Sequence, residues 1–368
     1  MNPHETVGAR YAIVLALCAT GCGVTADQTA PGDTDAPEVV WREGPRLPQP
    51  ITNNTVAAIE IDGEISVFSF LGLDSTKVWS GVTNAAYRWD VGVDQWAAID
   101  PVPGPGRLAA TAQVVDGRIY VIGGYTVAED GGERSLPDVA IYDPSSDAWS
   151  RGADIPVPTD DAASGVWQGE EIALVSGWHD TGNITDVQFY NPASDSWQAG
   201  SPIPGRPVFG HTGAIVGDQV VYIDGAAIVE TRPRFVIDTA SWVGRLRADD
   251  LTDVSWALIS PHPGPPLYRA ASGTIGDYAI FVGGTDNPYN YSGIGYDGVP
   301  SEPIRQILTY APELDLWGEL PPLPVATMDH RNVGLAGGQV FVVGGMLKGQ
   351  IVSDHVWVAE VSRLIGSR

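Results

Sequence analysis

Short apolar runs separated by turns recur along the chain from residue 40 onward. The unit is clearest between residues 107 and 158: the strand ATAQVV, an Asp-Gly turn, the apolar strand IYVI closed by Gly-Gly, a variable loop, the strand VAIY, a second turn and a last strand that opens with Trp149. Runs this short, bounded by Gly, Pro and Asp, predict β-strands. The sequence therefore predicts an all-β protein made of repeated four-stranded units.

Six apolar second strands can be counted. Besides IYVI they are ISVF (65–68), IALV (172–175), VVYI (220–223), AIFV (279–282) and VFVV (340–343). The tryptophans that open the last strands are Trp96, Trp149, Trp197, Trp256 and Trp317. A second strand without alternation is expected where a sheet is covered on both faces, as it is between the blades of a propeller. Six units predict a six-bladed β-propeller over residues 40–361.

The last unit lacks its fourth strand, because the chain leaves it at Val361 after three strands. The segment that begins at Trp41 has the character of the missing strand. We therefore expect the N-terminal segment to pair with the last blade and to close the ring, which removes an exposed sheet edge.

The repeat resembles the kelch repeat over essentially residues 40–361. The chain is also similar to the six-bladed sialic-acid mutarotases, which are exported kelch proteins. That resemblance implies a Glu directly after the glycine that closes a middle second strand, and an Arg six residues later. In the matching stretch the Arg is Arg232, but Ala226 stands in place of the Glu, so the activity would need Glu230 or Asp224 as a substitute.

A second resemblance, to the copper radical oxidases typified by galactose oxidase, is excluded. Their cross-linked Tyr–Cys cofactor requires a cysteine inside the domain, and both cysteines of this chain, Cys18 and Cys22, lie before it. No metal-ligand spacing, phosphate-binding loop or nucleophile elbow is present either. We expect no metal and no cofactor.

The N-terminal 22 residues have the character of an export signal. An apolar stretch, 11–17, follows Arg10 and precedes the run Ala-Thr-Gly-Cys at 19–22, which resembles a bacterial lipobox. The prediction is a lipoprotein signal peptide (1–22) with Cys22 lipidated, a flexible tether (23–39), the propeller (40–361) and a short tail (362–368). The expected location is the bacterial cell envelope, at the outer membrane; the alternative is a secreted protein whose lipobox is not used.

The formal net charge of −25 excludes function classes rather than naming one. A surface this acidic repels nucleic acid and anionic headgroups, so we expect no nucleic-acid partner and membrane contact through the anchor alone. We expect a monomer.

Candidate binding residues lie where the inner strands begin or the second strands end, which in a propeller is one face near the axis. The binding site predicted at this mouth consists of Arg107, Asp160, His211, Asp224, Arg232, Arg269, His330 and Arg331. Their arginines offer planar donors suited to a ligand carboxylate or vicinal hydroxyls. The alternative is that these side chains hydrogen-bond to neighbouring blades.

Two long segments interrupt the repeat. Residues 286–303 in the fifth unit carry Tyr289, Asn290, Tyr291 and Tyr296, which suits contact with a carbohydrate, although a purely solvated loop is the alternative. Residues 239–253 are expected to be an insertion on the opposite face.

The functional hypothesis is a non-catalytic binding module displayed at the envelope, for a polar small molecule, a glycan or a protein partner. The alternative is a sugar-handling enzyme of the sialic-acid mutarotase or epimerase type. We favour binding, because no catalytic constellation is visible in the sequence.

Overall fold

The computed structural model describes residues 39–361, and these form a six-bladed β-propeller. The predicted signal peptide with Cys22, the predicted tether up to residue 38 and the tail 362–368 lie outside the described residues. Val39, at the end of the predicted tether, is buried in the core of the last blades.

Each blade is a four-stranded antiparallel sheet whose first strand lies at the axis. The strands, in order within each blade, are Thr55–Ile61, Glu64–Leu73, Val82–Asp90 and Ala97–Ile99 (blade 1); Thr111–Val115, Arg118–Ile122, Val139–Asp143 and Ala148–Arg151 (blade 2); Ala163–Trp167, Glu171–Val175, Val187–Asn191 and Ser196–Ala199 (blade 3); Thr212–Val216, Gln219–Ile223, Trp242–Arg245 and Ser255–Leu258 (blade 4); Ala271–Ile275, Tyr278–Val282, Ile307–Ala311 and Leu316–Leu320 (blade 5); and Gly334–Ala336, Gln339–Val343, Val356–Glu360 and Trp41–Glu43 (blade 6).

Four of the loops between second and third strands form small hairpins of their own. They pair Tyr125–Val127 with Glu133–Ser135, Trp178–His179 with Gly182–Asn183, Ala226–Ile228 with Phe235–Ile237, and Met346–Leu347 with Ile351–Val352. A 3₁₀ turn, Trp79–Gly81, occupies the corresponding loop of blade 1. No described residue belongs to a helix long and apolar enough to cross a membrane.

The predicted closure of the ring is confirmed. Trp41 pairs with Ala359 and Glu43 with Trp357, so the N-terminal segment is the outer strand of blade 6. The pairing covers the backbone edge that the third strand of that blade would otherwise expose.

The outer-strand tryptophans join neighbouring blades. Trp149 packs on Tyr142 of its own blade at 5.0 Å between ring centroids, and its Nε1 donates to Asp100 O of the preceding link at 2.9 Å. Trp197 and Trp317 repeat both contacts. These tryptophans are half-buried, and each packs on its own blade while its indole N–H bonds to the preceding link, so the tryptophan both fills the wedge between blades and fixes their spacing.

The aspartates two positions before these tryptophans have a structural task. Asp147, Asp195 and Asp315 adopt left-handed backbone angles in the turn, and each accepts a bond from the hydroxyl of a tyrosine in the third strand. The aspartates therefore hold the turn between the third and fourth strands of their blades.

Two details differ from the sequence-based prediction. The second strand of blade 1 was predicted as ISVF (65–68), but it continues to Leu73, and the pair equivalent to Gly-Gly is Leu71-Gly72, with φ of 63° and 112°. Residues 239–253 are not simply an insertion, since they contain the third strand of blade 4, Trp242–Arg245. Both errors come from strands whose apolar runs are longer or shorter than the repeat.

Candidate functional site

Six residues with left-handed backbone surround the propeller axis where the inner strands begin, one from each blade. We call them the axial ring: Asn53, Ala109, Asp161, Gly210, Arg269 and Asp329, with φ between 49° and 68°. Backbone N–H groups of the ring donate to the preceding member, as in Gly210 N to Asp161 O at 3.0 Å and Arg269 N to Gly210 O at 2.7 Å. The ring therefore fixes which side chain of each inner strand faces the axis.

Two members of the ring and one neighbour form a buried ion-pair network with Asp161. Arg269 donates to both oxygens of Asp161, at 3.2 and 2.6 Å, and its Nη1 lies 3.3 Å from Asp329 Oδ1. Arg331 Nη2 lies 2.8 Å from Asp161 Oδ1 and donates to Asn53 Oδ1 at 2.9 Å. These groups bond to one another at the axis, so Arg269 has little donor capacity left for a ligand, and Arg331 keeps only its buried Nε without a partner among the described residues.

The position two residues before the ring points between blades. In blades 1, 4 and 5 it is an apolar core residue, Ile51, Val208 or Leu267, and in blades 3 and 6 it is a buried threonine. In blade 2 it is Arg107, fully buried, whose guanidinium bonds to none of the described residues. Burial lowers the pKa of Arg107 to about 10, against the opposing effect of Asp138. Arg107 does not line the mouth.

The position directly after the ring also turns away from the axis. His211 Nε2 lies 2.8 Å from Val175 O, and His330 Nε2 lies 2.8 Å from Thr327 Oγ1. Burial lowers the pKa of His211 to about 4, and burial together with Arg331 lowers that of His330 to about 3. Both imidazoles are neutral members of the blade interfaces near neutral pH.

The carboxyl of Asp224, at the end of a second strand, bonds to residues outside the ion-pair network of the axis. It is fully buried, and its Oδ2 lies 2.7 Å from His262 Nε2 and accepts Leu267 N at 2.6 Å. Burial by itself lowers the pKa of His262, but the bond to Asp224 and its charge outweigh that and raise it. Asp224 thus ties blade 4 to the link that follows it.

The stretch that matches the mutarotases lies in the blade 4 hairpin. Ala226 is fully buried beside Phe209, and Arg232 is exposed near the tip. Glu230 borders a separate groove with Arg206 and Asn183. Neither Glu230 nor Asp224 lines the mouth, so neither lies where it could replace a carboxylate there.

A cavity of about 200 Å³ opens at the mouth above the ion-pair network. Of the predicted site residues, Asp160 and Arg269 line it. We call it the mouth cavity; its lining is Tyr125, Glu133, Asp160, Asp161, Trp178, Phe209, Arg234, Phe235, Arg269, Asn290 and Tyr296.

One side of the mouth cavity is an aromatic wall from blades 3, 4 and 5. Trp178 and Phe209 lie 5.3 Å apart between ring centroids, Phe209 and Phe235 5.4 Å, and Phe235 and Tyr296 4.3 Å. Such tilted and edge-on contacts hold each ring in a fixed orientation. The wall is therefore a preformed apolar surface.

The loop of blade 5 crosses the axis to the opposite blade. Asn290 Nδ2 donates to Glu133 Oε1 in blade 2 at 2.7 Å, and Asn290 Oδ1 accepts from Tyr125 at 3.4 Å. At its base Tyr268 donates to Tyr289 O, and Arg269 donates to Asn290 O. We call residues 289–291 the axial strap; it roofs the ion-pair network and forms the side of the mouth cavity that faces the wall.

Asp160 is the carboxylate that the ion-pair network leaves unpaired. It is 3% exposed, and its Oδ2 accepts a bond from Ser135 Oγ at 2.6 Å. Burial and the neighbouring Asp161 raise the pKa of Asp160 well above its ordinary value. A carboxyl of this kind in a cavity suits hydrogen bonding or proton transfer to a ligand.

The sequence analysis did not identify most residues of the cavity lining, although one position of the repeat indicates some of them. The residue that follows the closing glycine of each second strand lies at the mouth, and in blades 2 and 3 it is Tyr125 and Trp178. Phe235, Glu133 and Arg234 lie in hairpins whose sequences carry no repeat.

Comparisons with known proteins agree with the repeat. A family model described as Kelch motif matches residues 106–156. The chain is 26% identical over 146 residues to Kelch-like protein terF of Aspergillus terreus, a match that covers 39% of this chain and 31% of that protein. The match thus covers about a third of that relative's length.

Two matches cover most of this chain. The chain is 22% identical over 342 residues to N-acetylneuraminate epimerase 1 of Escherichia coli, covering 80% of this chain and 89% of that protein. The solved structure of YjhT superposes with a TM-score of 0.67 at 18% identity, covering 85% of this chain and 95% of that one. At that identity the structural likeness concerns the fold alone.

Proposed function

We propose that this kelch-type β-propeller of six blades is a binding module that holds a sugar-like, hydroxylated ligand in the mouth cavity without transforming it. The observation that carries the proposal is the composition of the cavity, in which an aromatic wall faces Asp160, Glu133 and Asn290. Aromatic faces cover the apolar side of a sugar ring, while carboxylate and amide groups bind its hydroxyls.

The ligand we propose does not depend on the arginines of the axis. Arg269 and Arg331 donate to Asp161, Asn290 and Asn53, so a ligand carboxylate would have to break buried charge-assisted bonds to reach them. Arg234, which stacks over Phe235 at 5.4 Å, is the remaining guanidinium of the cavity.

Binding is favoured over the epimerase-type alternative by the residue at the matching position. Ala226 has no proton to exchange, and Glu230 and Asp224 lie outside the mouth cavity. One observation favours the alternative: Asp160 has a raised pKa, as a general acid would. If the protein accelerated the interconversion of the anomers or epimers of a bound sugar, and the Asp160→Asn variant did not, that alternative would be established.

The test of binding is a glycan array probed with the purified protein and two matched variants. Trp178→Ala removes part of the aromatic wall and should weaken binding by about tenfold or more. Trp79→Ala, which alters a half-exposed tryptophan outside the cavity, should bind like the parent. Trp178→Ala that bound its glycans unchanged, or a parent that bound no glycan class, would overturn the proposal.

We also propose that the module is displayed at the cell envelope through Cys22. The support is the apolar stretch before the Ala-Thr-Gly-Cys run, and the acidic composition, which is compatible with a surface that stays away from anionic headgroups. Fractionation of cells that express the Cys22→Ser variant tests this, as set out in the Discussion.

A further inference from the structure

The charges around the mouth cavity do not balance. Arg269 and Arg331 are matched by Asp161 and Asp329 within the buried network. Asp160 and Glu133 then remain as carboxyls on the cavity side, opposite the one guanidinium of Arg234. The cavity therefore carries more acidic than basic groups that are free to meet a ligand.

Asp160 is placed to meet a ligand directly. It is 3% exposed and lines the cavity. Among the described residues its side chain accepts one hydrogen bond, from Ser135 to Oδ2, and Oδ1 has no donor. Glu133 at the rim accepts a bond at Oε1 from Asn290. Asp160 Oδ1 bonds to none of the described residues, so it can accept a hydrogen bond or a positive charge from a ligand in the cavity.

Aromatic rings line the same cavity as this carboxyl. Trp178, Phe235 and Tyr296 belong to the aromatic wall, and Tyr125 lies beside Asn290. The faces of aromatic rings attract ammonium groups, and an aromatic cage with a carboxylate is a common way to bind them.

We infer that the ligand of the mouth cavity carries an ammonium group that pairs with Asp160, as in an amino sugar that is not N-acetylated. The inference rests on the proposed sugar-binding function and specifies its ligand class. The formal charge of −25 adds a long-range attraction for such a ligand and a repulsion for acidic sugars.

The test compares two oligosaccharides that differ only in N-acetylation, a β-1,4-linked glucosamine tetramer and the corresponding N-acetylglucosamine tetramer. Calorimetry on the purified full chain should give an affinity for the glucosamine tetramer that is about tenfold or more higher. Asp160→Asn keeps the acceptor for Ser135 and should abolish the difference. Asp62→Asn removes the same charge from an exposed turn on the opposite face and should preserve it.

The pH profile separates a direct contact from a structural effect. An ammonium pairs with ionised Asp160, so affinity should fall as the pH is lowered through the raised pKa of that carboxyl, and Asp160→Asn should lack this step. The charged groups that act on Asp160 are Asp161, Glu133 and Arg269, with Asp180 linked through Ser135. Asp161 and Arg269 are already paired with each other, so they contribute a constant background.

The possible results distinguish failure of the ammonium inference from failure of the proposed sugar binding. Equal binding of both tetramers would refute the ammonium but leave sugar binding standing. Tighter binding of the glucosamine tetramer that is equal in Asp160→Asn and Asp62→Asn would show nonspecific attraction and also refute it. If neither tetramer binds, the inference fails, and the glycan array then decides the proposed function separately.

Discussion

Asp161 is the residue on which the buried network of the axis depends. Burial alone would raise its pKa, but Arg269 and Arg331 outweigh that effect and lower it below the ordinary value. A carboxyl with a lowered pKa stabilises the folded protein above its unfolded pKa, about 3.9, and this contribution is lost as the pH falls through the folded value. The network therefore stabilises the fold at neutral pH and makes it acid-sensitive.

Removal of one arginine should expose this dependence. Arg269→Ala leaves Asp161 buried with half of its partners, and we expect the free energy of unfolding in urea to drop by about 3–5 kcal/mol. Adding Asp161→Asn should recover part of the loss, because the stranded charge is gone. Arg151→Ala, which breaks only exposed ion pairs, should cost less than about 1 kcal/mol. If the Arg269→Ala protein unfolds like the parent but no longer binds ligand, then Arg269 contacts the ligand and does not stabilise the fold.

Among the elements, the strand Trp41–Glu43 carries more stability than its three residues suggest. It completes blade 6, and Trp41 packs with Val39 against the cluster that includes Val340 and Val342. The neighbouring link adds bonds from Gly44 N to Val356 O and from Leu47 N to Asp354 O. The strand therefore covers both the edge and the face of the last blade.

A truncated chain measures this closure. A chain that begins at residue 52 should unfold at lower urea than one that begins at residue 39, with a loss of about 3–5 kcal/mol or more, because the partly buried Trp41 and the buried Leu47 and Ile51 are removed together. The chain from residue 39 is the control, because it keeps every described strand. Equal midpoints for the two chains would contradict the closure.

The axial strap is the other element on which the site depends. It links blade 5 to blade 2 across the ring of blades, through Asn290 and Glu133, which are 157 positions apart in the sequence. Without it the ion-pair network would face solvent and the mouth cavity would lose one side. Its aromatic and amide residues are thus part of the site itself.

At the scale of the whole molecule, the propeller presents one face with a cavity and carries its predicted anchor before the first described strand. The proposed display predicts that Cys22→Ser moves the protein from the membrane fraction to a soluble one or blocks its processing. Cys18→Ser, which changes the cysteine outside the proposed lipobox position, is the matched control. Membrane partitioning that is the same in all three proteins would refute anchoring through Cys22.

The sequence by itself determined the architecture. The number of blades, the outer tryptophans and the N-terminal closing strand follow from a repeat of apolar runs and turns, since every blade must bury both faces in the same way. It also marked Asp160, Arg269 and the loop 286–303 as candidates for the mouth.

The tertiary structure alone decided which polar residues act together. Arg107 lies two positions before the axial ring, and His211 and His330 lie one position after it, so their side chains enter blade interfaces. The ring members Arg269 and Asp161 instead meet on the axis. Arg269 and Asp161 are 108 positions apart, and the rings of Trp178 and Tyr296 lie in different blades. A repeat specifies how each blade packs on the next, but the cavity is formed by loops that do not repeat, so its chemistry appears only when the ring is closed.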